Sequence, residues 1–288
     1  MYSAPFEYLS PTSLEEALKF MNEHEDECRV LAGGHSLIPL MKLRAIRPKY
    51  VVDLGRIKGL SYIKQEGNIV SVGAATTYRE IQNSQLLLSK LPLLPSCVSV
   101  VGDVQVRNWG TVGGSLSHCD PAGDFGSAVI ASRAQMVARS VSGERIIESD
   151  QWFVDSFQSA LKPNEILTEI RFPLPHGRSS GVYLKLERKS GDYATVGVAA
   201  QIAVDSDLKV LYAGIGLTAV APTNMRARSA EQSLKGAKLT DENIEAAARA
   251  AAEECRPTDD PLRGSASYKK AMVRVFVRRA LKEVAAHV

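Results

Sequence analysis

Cysteine is scarce in this 288-residue chain: Cys28, Cys97, Cys119 and Cys255 stand far apart, and none pairs with another as CxxC. That removes the usual spacings of a zinc site or an iron–sulfur cluster. The five histidines include no pair at helical ligand spacing. No Gly-x-Ser-x-Gly elbow and no P-loop is present, so neither a serine hydrolase nor a P-loop nucleotidase is indicated. Gly33-Gly34-His35-Ser36 does not fit Gly-x-Gly-x-x-Gly, so a Rossmann dinucleotide site is not indicated either. No apolar run is long enough for a membrane span. Charge of one sign is also lacking: the net charge is +3, too small to favour nucleic acid or an anionic membrane. The start, Met1 to Phe6, has neither a basic region nor an apolar core. With scattered thiols, this predicts a reducing, cytoplasmic setting, at most peripheral to the inner face of a membrane.

What is present is a pair of glycine stretches. Ala32-Gly33-Gly34-His35-Ser36-Leu37 follows the apolar run Cys28 to Leu31, and Thr111-Val112-Gly113-Gly114-Ser115-Leu116 follows a second small-residue segment. Glycine lets backbone N–H groups approach a ligand closely and reaches positive φ freely. Successive N–H groups in such a turn form an anion-binding nest. Either stretch alone is consistent with a mere connecting turn. Together, each with hydroxyl side chains, they predict a cofactor bearing a pyrophosphate.

The length suits two domains. Ser10 to Ala17 carries a helix-start signal with Thr12 or Ser13 as cap, and Leu14, Ala17, Leu18 and Met21 follow helical spacing. Strands are expected at 29–32 and 50–54, giving a small β-α-β-like lobe over residues 1 to about 55. Antiparallel strands are expected at 59–63 and 68–73 with a turn at Glu66-Gly67, and a hairpin at 135–139 and 143–147. Helices are expected at 77–83, 86–91, 95–101 and 124–132, and a strand at 166–172. The cluster Pro173 to Gly181 reads as a boundary. Beyond it, strands are expected at 196–204 and 208–216, and helices at 227–234, 240–254 and 268–284.

Single residues say less. His35 reads as a turn histidine with a local hydrogen bond in preference to a metal ligand. Asp120 and Asp124 would share one face of a helix; Asp120-Pro121 resembles an N-cap followed by proline at the first helical position, and Asp124 could instead accept from a ligand hydroxyl. Lys185 to Ala194 reads as a solvated basic hairpin, or as a tyrosine placed to stack on a flat ring beside a lysine.

Ala32 to Pro39, taken with Thr111 to Ser115, resembles the two FAD-binding signatures of the medium, flavoprotein subunit of molybdenum hydroxylases, the xanthine dehydrogenase family. Arg188-Lys189-Ser190-Gly191-Asp192-Tyr193-Ala194-Thr195 is similar to the carbon monoxide dehydrogenase type of that subunit. Arg263 to Lys270 and Arg278-Arg279-Ala280-Leu281 resemble its closing helix. The resemblance runs nearly end to end. It implies an α+β fold: a two-lobed FAD-binding domain of the vanillyl-alcohol oxidase (PCMH) type over 1–176, with lobes of about 1–55 and 56–176, then a smaller α+β domain over 177–288. It implies that Ala32, Gly33, Gly34, His35, Ser36 and Leu37, with Thr111, Gly113, Gly114 and Ser115, hold the FAD diphosphate and ribityl chain. Ser115 stands where many relatives carry Asn, which shortens its reach. Asp124 matches a ribityl- or ring-contacting aspartate, Leu167 an apolar contact, Lys185 a lysine near the flavin, and Tyr193 a tyrosine against the isoalloxazine. No catalytic residue and no metal ligand is implied in this chain.

The family implies partners as well: a large subunit with the molybdenum cofactor, a small subunit with two [2Fe–2S] clusters, a dimer of heterotrimers, and an external electron acceptor. The absence of metal motifs fits that division. Two other readings compete: a standalone FAD-dependent oxidase of the same fold, and a non-enzymatic FAD-binding or assembly protein. The short C-terminal part disfavours the first of these.

Overall fold

A computed structural model describes all 288 residues. The chain opens with β1 (Glu7–Leu9), α1 (Leu14–His24), β2 (Cys28–Leu31), α2 (Leu37–Lys42) and β3 (Tyr50–Asp53). Their strands form a parallel sheet in the order β1-β3-β2. Ser13 caps α1, its hydroxyl accepting the Glu16 N–H at 3.1 Å. Leu14, Ala17, Leu18 and Met21 then fall on one face and pack with Tyr50 and Val52. The sequence reading missed β1, whose three residues are mostly exposed and show no buried run.

A second lobe follows: β4 (Ile63–Glu66), β5 (Ile69–Gly73), α3 (Tyr78–Asn83), α4 (Gln85–Lys90), α5 (Leu93–Ser99), α6 (Val104–Trp109), α7 (Val112–His118), α8 (Asp124–Ala131), β6 (Gln135–Ser140), β7 (Gly143–Glu148), α9 (Ser149–Trp152), β8 (Phe153–Asp155), β9 (Gln158–Ser159) and β10 (Ile166–Pro173). Five of these strands make an antiparallel sheet, β4-β5-β10-β6-β7. Two expectations shift here. Residues 59–62 are not strand, because Gly59 turns at φ +88° and the Leu60 carbonyl accepts from Ala75 N–H at 2.8 Å. The turn falls on Gly67-Asn68, with Gly67 at φ +58°. The helix α6, with no apolar stripe to betray it, was not foreseen; Asp103 caps it through the Val106 N–H at 2.9 Å.

The remainder is β11 (Arg178–Leu186), β12 (Val196–Val204), β13 (Val210–Thr218), β14 (Met225–Arg226), α10 (Arg228–Leu234), α11 (Asp241–Glu254) and α12 (Ala266–Ala285). The strands pair antiparallel in the order β11-β12-β13-β14. Arg178 to Gly181, part of the expected linker, is therefore strand. Every residue of β12 is buried. Val196, Val198, Ala200, Ile202 and Val204 join the core under the last three helices, while Ala199 on the other face joins the core of the second lobe. The sheet thus has apolar cover on both sides, which fits its near-continuous apolar sequence. α8 lies directly on β13: a Cβ at Gly216 would stand 2.1 Å from the Ser127 carbonyl oxygen. This contact sets the start of α8, and with it Asp124, beside β11.

Candidate functional site

β2 ends at Leu31 and the chain turns at the carboxyl edge of the parallel sheet, with Gly34 at φ +77°. Where do the backbone donors of this turn go? None of the six N–H groups from Ala32 to Leu37 has a hydrogen-bond acceptor within the chain; the first bonds of α2 run from Ile38 N–H to the Gly34 carbonyl and from Leu40 N–H to the Ser36 carbonyl. The Ser36 hydroxyl makes no capping bond. This is a run of free donors with a left-handed glycine inside it, the geometry of an anion nest. Gly33 fits because it has no side chain: a Cβ there would stand 2.1 Å from the Trp109 carbonyl oxygen.

The second glycine stretch is different, and the nest expected there is corrected. Thr111 caps α7, and Gly113 and Gly114 lie in its first turn. The donors of Val112 to Ser115 are already taken. Val112 N–H bonds the Thr76 carbonyl at 3.0 Å, Gly113 N–H the Ala74 carbonyl at 2.8 Å, and Ser115 N–H the Thr111 carbonyl at 3.1 Å. Gly114 N–H bonds Thr111 Oγ1 at 3.2 Å. The two stretches do meet: the Cβ position of Gly114 lies 3.7 Å from the Ala32 Cβ. So the structure brings Ala32 to Leu37 against Thr111 to Ser115, but only the first keeps a continuous run of free backbone donors, since Val112 to Ser115 are all bonded within the chain.

Asp124 and Lys185 also come together. Asp124 is the first residue of α8, with Gly123 as the N-cap, and it is buried. Asp120 lies outside the helix and accepts from the Ala122 N–H at 2.9 Å, so the shared helical face and the Asp120 cap do not occur. Lys185 Nζ donates to Asp124 Oδ2 at 2.9 Å and to the Val100 carbonyl at 3.2 Å. Its side chain is 3 % exposed, and Glu187 Oε2 stands 3.4 Å away. The lysine is therefore committed to a buried carboxylate and is not a free cation. Burial pushes the Asp124 carboxyl up, against the pull of Lys185 and of a hydrogen bond from Tyr183. That Tyr183 hydroxyl, 2.6 Å from Asp124 Oδ1, was missed by sequence reasoning. Its signal was available: Tyr183 and Lys185 are two apart on one strand and so face the same way. Burial first, then the Asp124 charge, raise the Tyr183 phenol well above its ordinary value.

Tyr193 lies in the loop between β11 and β12, which passes close to Gly102. Its ring is exposed, while its N–H bonds Asp192 Oδ1 at 2.8 Å. Burial first, then the charges of Asp120 and Asp124, raise its phenol above the ordinary value. Leu167 sits in β10, 3 % exposed and packed into the core of the second lobe. His35 is exposed and makes no hydrogen bond within the chain, so the local bond expected of it is absent. His118 packs on Phe157, and burial lowers its pKa.

A cleft of ≈ 400 Å³ lies elsewhere, between the start of α1 and the sheet of the second lobe, with Lys58, Tyr62, Arg139 and Glu169 on its wall. None of the expected residues lines it. Several of its charges pair with one another: Glu169 takes Tyr62 and Arg171 at 2.5 Å each, and Arg139 bonds Glu144 at 3.0 Å. No three His, Cys, Asp or Glu side chains gather as metal ligands would. No helix is long and apolar enough to cross a membrane.

Residues 4–175 match the family described as the FAD binding domain in molybdopterin dehydrogenase, and residues 181–284 the CO dehydrogenase flavoprotein C-terminal domain. The carbon monoxide dehydrogenase medium chain of Hydrogenophaga pseudoflava is 39 % identical over 276 residues, 96 % of each chain. The glyceraldehyde dehydrogenase medium chain of Sulfolobus acidocaldarius is 38 % identical over 289 residues, covering 99 % of this chain and all of that one. Among solved structures, a carbon monoxide dehydrogenase from H. pseudoflava that lacks the Mo-pyranopterin moiety superimposes with a TM-score of 0.96 at 40 % identity, covering 100 % of this chain and 99 % of that one.

Proposed function

The chain belongs to the FAD-binding flavoprotein (medium) subunits of the molybdenum hydroxylases, and on that premise we propose that it binds one FAD and passes electrons from [2Fe–2S] clusters in a partner subunit to an external acceptor. One observation carries the binding half: six consecutive backbone donors, Ala32 to Leu37, have no acceptor within the chain and lie against Gly114. That cradle suits a diphosphate, and the donor chemistry fits FAD. The second stretch, Thr111 to Ser115, contributes close packing and the hydroxyls of Thr111 and Ser115. In this reading residues 1–176 form the FAD-binding domain and 177–288 the smaller C-terminal one.

When bound, FAD supplies a carrier that takes single electrons and delivers one or two. The chain's own residues hold and screen it. The Asp124–Tyr183–Lys185 cluster is a rigid, buried, hydrogen-bonded group under the start of α8, able to orient a ligand hydroxyl or ring edge without moving. Tyr193 offers an exposed aromatic face for stacking. Lys185 does not neutralise a ring oxygen directly, since Asp124 already takes its charge.

The substrate is not written in this chain. Relatives named for carbon monoxide and for glyceraldehyde are 39 % and 38 % identical to it. Substrate oxidation belongs to a molybdenum cofactor in a large subunit, and the two [2Fe–2S] clusters to a small one, in a dimer of heterotrimers. A standalone oxidase is disfavoured, because relatives that match end to end are named as chains or subunits of larger dehydrogenases.

Purification of the native protein tests this. One FAD per chain, with molybdenum and iron in the co-purifying subunits, is expected. A lone monomer that oxidises substrate without either metal would sink the proposal. The FAD should be non-covalent. Cys119 is a buried thiol, pushed up to about 12 by burial and hydrogen-bonded to the Leu116 carbonyl, and so is no nucleophile. Acid precipitation should leave the yellow colour in the supernatant.

A further inference from the structure

Tyr193 is unusual in this site: the residue is 51 % exposed, yet its backbone is pinned. The pin is Asp192. One of its carboxylate oxygens accepts the Tyr193 N–H at 2.8 Å and Arg263 Nη2 at 3.3 Å; the other accepts Arg188 Nε at 3.0 Å. Arg188 belongs to the same loop, so it cannot anchor that loop to anything else. Arg263 can.

Arg263 comes from far along the chain and stands on a stiff support. Asp260 and Gly264 close a tight turn through reciprocal backbone bonds of 3.0 and 2.9 Å. Asp260 Oδ1 accepts the N–H groups of Leu262 and Arg263 at 2.8 and 3.0 Å. Asp259 ties the turn to α12 by accepting the Ala266 N–H at 2.6 Å. Arg263 Nη1 lies 3.6 Å from Asp260. The guanidinium therefore reaches the Tyr193 loop from a fixed base.

The same guanidinium has a cost. Its Nε–H is buried and has no partner. A buried donor left unpaired is destabilising. An arginine kept only for stability would not be held this way, since an apolar residue of similar length would remove the orphan.

We infer that Arg263 is a positioning residue: through Asp192 it fixes the Tyr193 loop to the Asp260–Gly264 turn that precedes α12, so that the tyrosine ring is presented to the flavin. This rests on the reading above that Tyr193 faces bound FAD. Arg263 touches no ligand itself. It acts on the loop between β11 and β12, whose residues Arg188 and Lys189 are exposed.

The test uses the protein in its native assembly, with Arg263→Met, Arg263→Lys, Tyr193→Ala and the double variant Arg263→Met/Tyr193→Ala. FAD affinity is read by fluorescence after flavin removal, and the loop by the rate of tryptic cleavage after Lys189. Arg263→Met should keep its melting temperature, speed cleavage at Lys189 and weaken FAD roughly five- to tenfold, the scale of one aromatic stacking contact. Arg263→Lys should fall between. The double variant should bind FAD no worse than Tyr193→Ala, because both lesions remove the same contact. If Tyr193→Ala weakens FAD and Arg263→Met does not, the inference falls and the reading of Tyr193 stands. Fully additive losses would also overturn it, since Arg263 would then act on something else. If Tyr193→Ala leaves FAD affinity untouched, the reading of Tyr193 fails and takes the inference with it.

Discussion

Gly33→Ala adds one methyl group at the place where the two lobes touch. The added Cβ would stand 2.1 Å from the Trp109 carbonyl oxygen and 2.9 Å from both the Trp109 carbonyl carbon and Gly110 Cα. The first distance is more than 1 Å inside ordinary van der Waals contact. All three neighbours are backbone, so no side chain can swing aside. The lobe carrying the turn has to move, or the turn has to bend. Overpacking of this kind costs about 1–3 kcal/mol. In a chain of this size that lowers the melting temperature by roughly 2–5 °C. The functional loss should be larger than the stability loss, because a shift of about 1 Å spoils a cradle whose donors must converge on one anion. Scanning calorimetry and FAD affinity on the same preparations read the two effects. Gly59→Ala is the control: it has φ +88° but nothing within 4 Å of its Cβ position. It should show only backbone strain, about 1 kcal/mol, with FAD affinity intact. Wild-type melting and wild-type flavin affinity in Gly33→Ala would refute the close approach of turn and Trp109.

Three further outcomes follow from the same geometry. Asp124→Asn or Lys185→Met should each cost about 3–5 kcal/mol by leaving a buried charge without its partner, while the double variant should fall well short of the sum; additivity in urea titrations would count against the pairing. Glu165 takes two hydrogen bonds from Arg145 and one from the Lys162 N–H, all at 2.7 Å, and although burial pushes its carboxyl up, these bonds hold it below the usual carboxylate range. A folded value below the unfolded one gives stability that is present above about pH 4.3 and fades as pH falls through the folded value. Glu165→Gln should therefore be less stable by roughly 1–3 kcal/mol near neutrality, with the gap narrowing in acid; a gap that widens on acidification refutes the sign. All four cysteines are buried, and burial raises each thiol, so a thiol reagent should modify none before unfolding; one rapidly labelled thiol in the native protein would contradict this.

Much of the fold was legible because its signals are local. Ser13 before Leu14, Ala17, Leu18 and Met21 states a capped amphipathic helix without reference to anything else in the chain. The hairpin of β6 and β7 shows itself by its own turn. What escaped depends on distant partners. β1 is three residues long and becomes a strand only because Tyr50 to Val52 lies beside it. The start of β4 moved from 59 to 63 because Leu60 spends its carbonyl on Ala75, a contact no window of sequence displays. β11 begins inside the Pro/Gly/Ser cluster because β12 supplies a ladder partner for each residue from Arg178 onward.

The site divides along the same line, and the two glycine stretches show why. In sequence they are near twins, Gly-Gly followed by a hydroxyl residue within two positions. Glycine serves two physical needs that look alike in one dimension: it frees backbone donors for a ligand, and it lets one backbone lie against another. Which need applies depends on where the N–H groups end up. At Ala32 to Leu37 they end nowhere within the chain, so the stretch can receive an anion. At Val112 to Ser115 the carbonyls of Ala74, Thr76 and Thr111 and the Thr111 hydroxyl have taken them, so the stretch fastens α7 to the strand-end at Ala74 and sets Gly114 under Ala32. Lys185 follows the same logic: a lysine near a cofactor reads as a free cation until a buried Asp124, sixty-one positions away, claims its charge. Residue type proposes the chemistry, and the accounting of donors and charges across the folded chain decides which residues remain free to perform it.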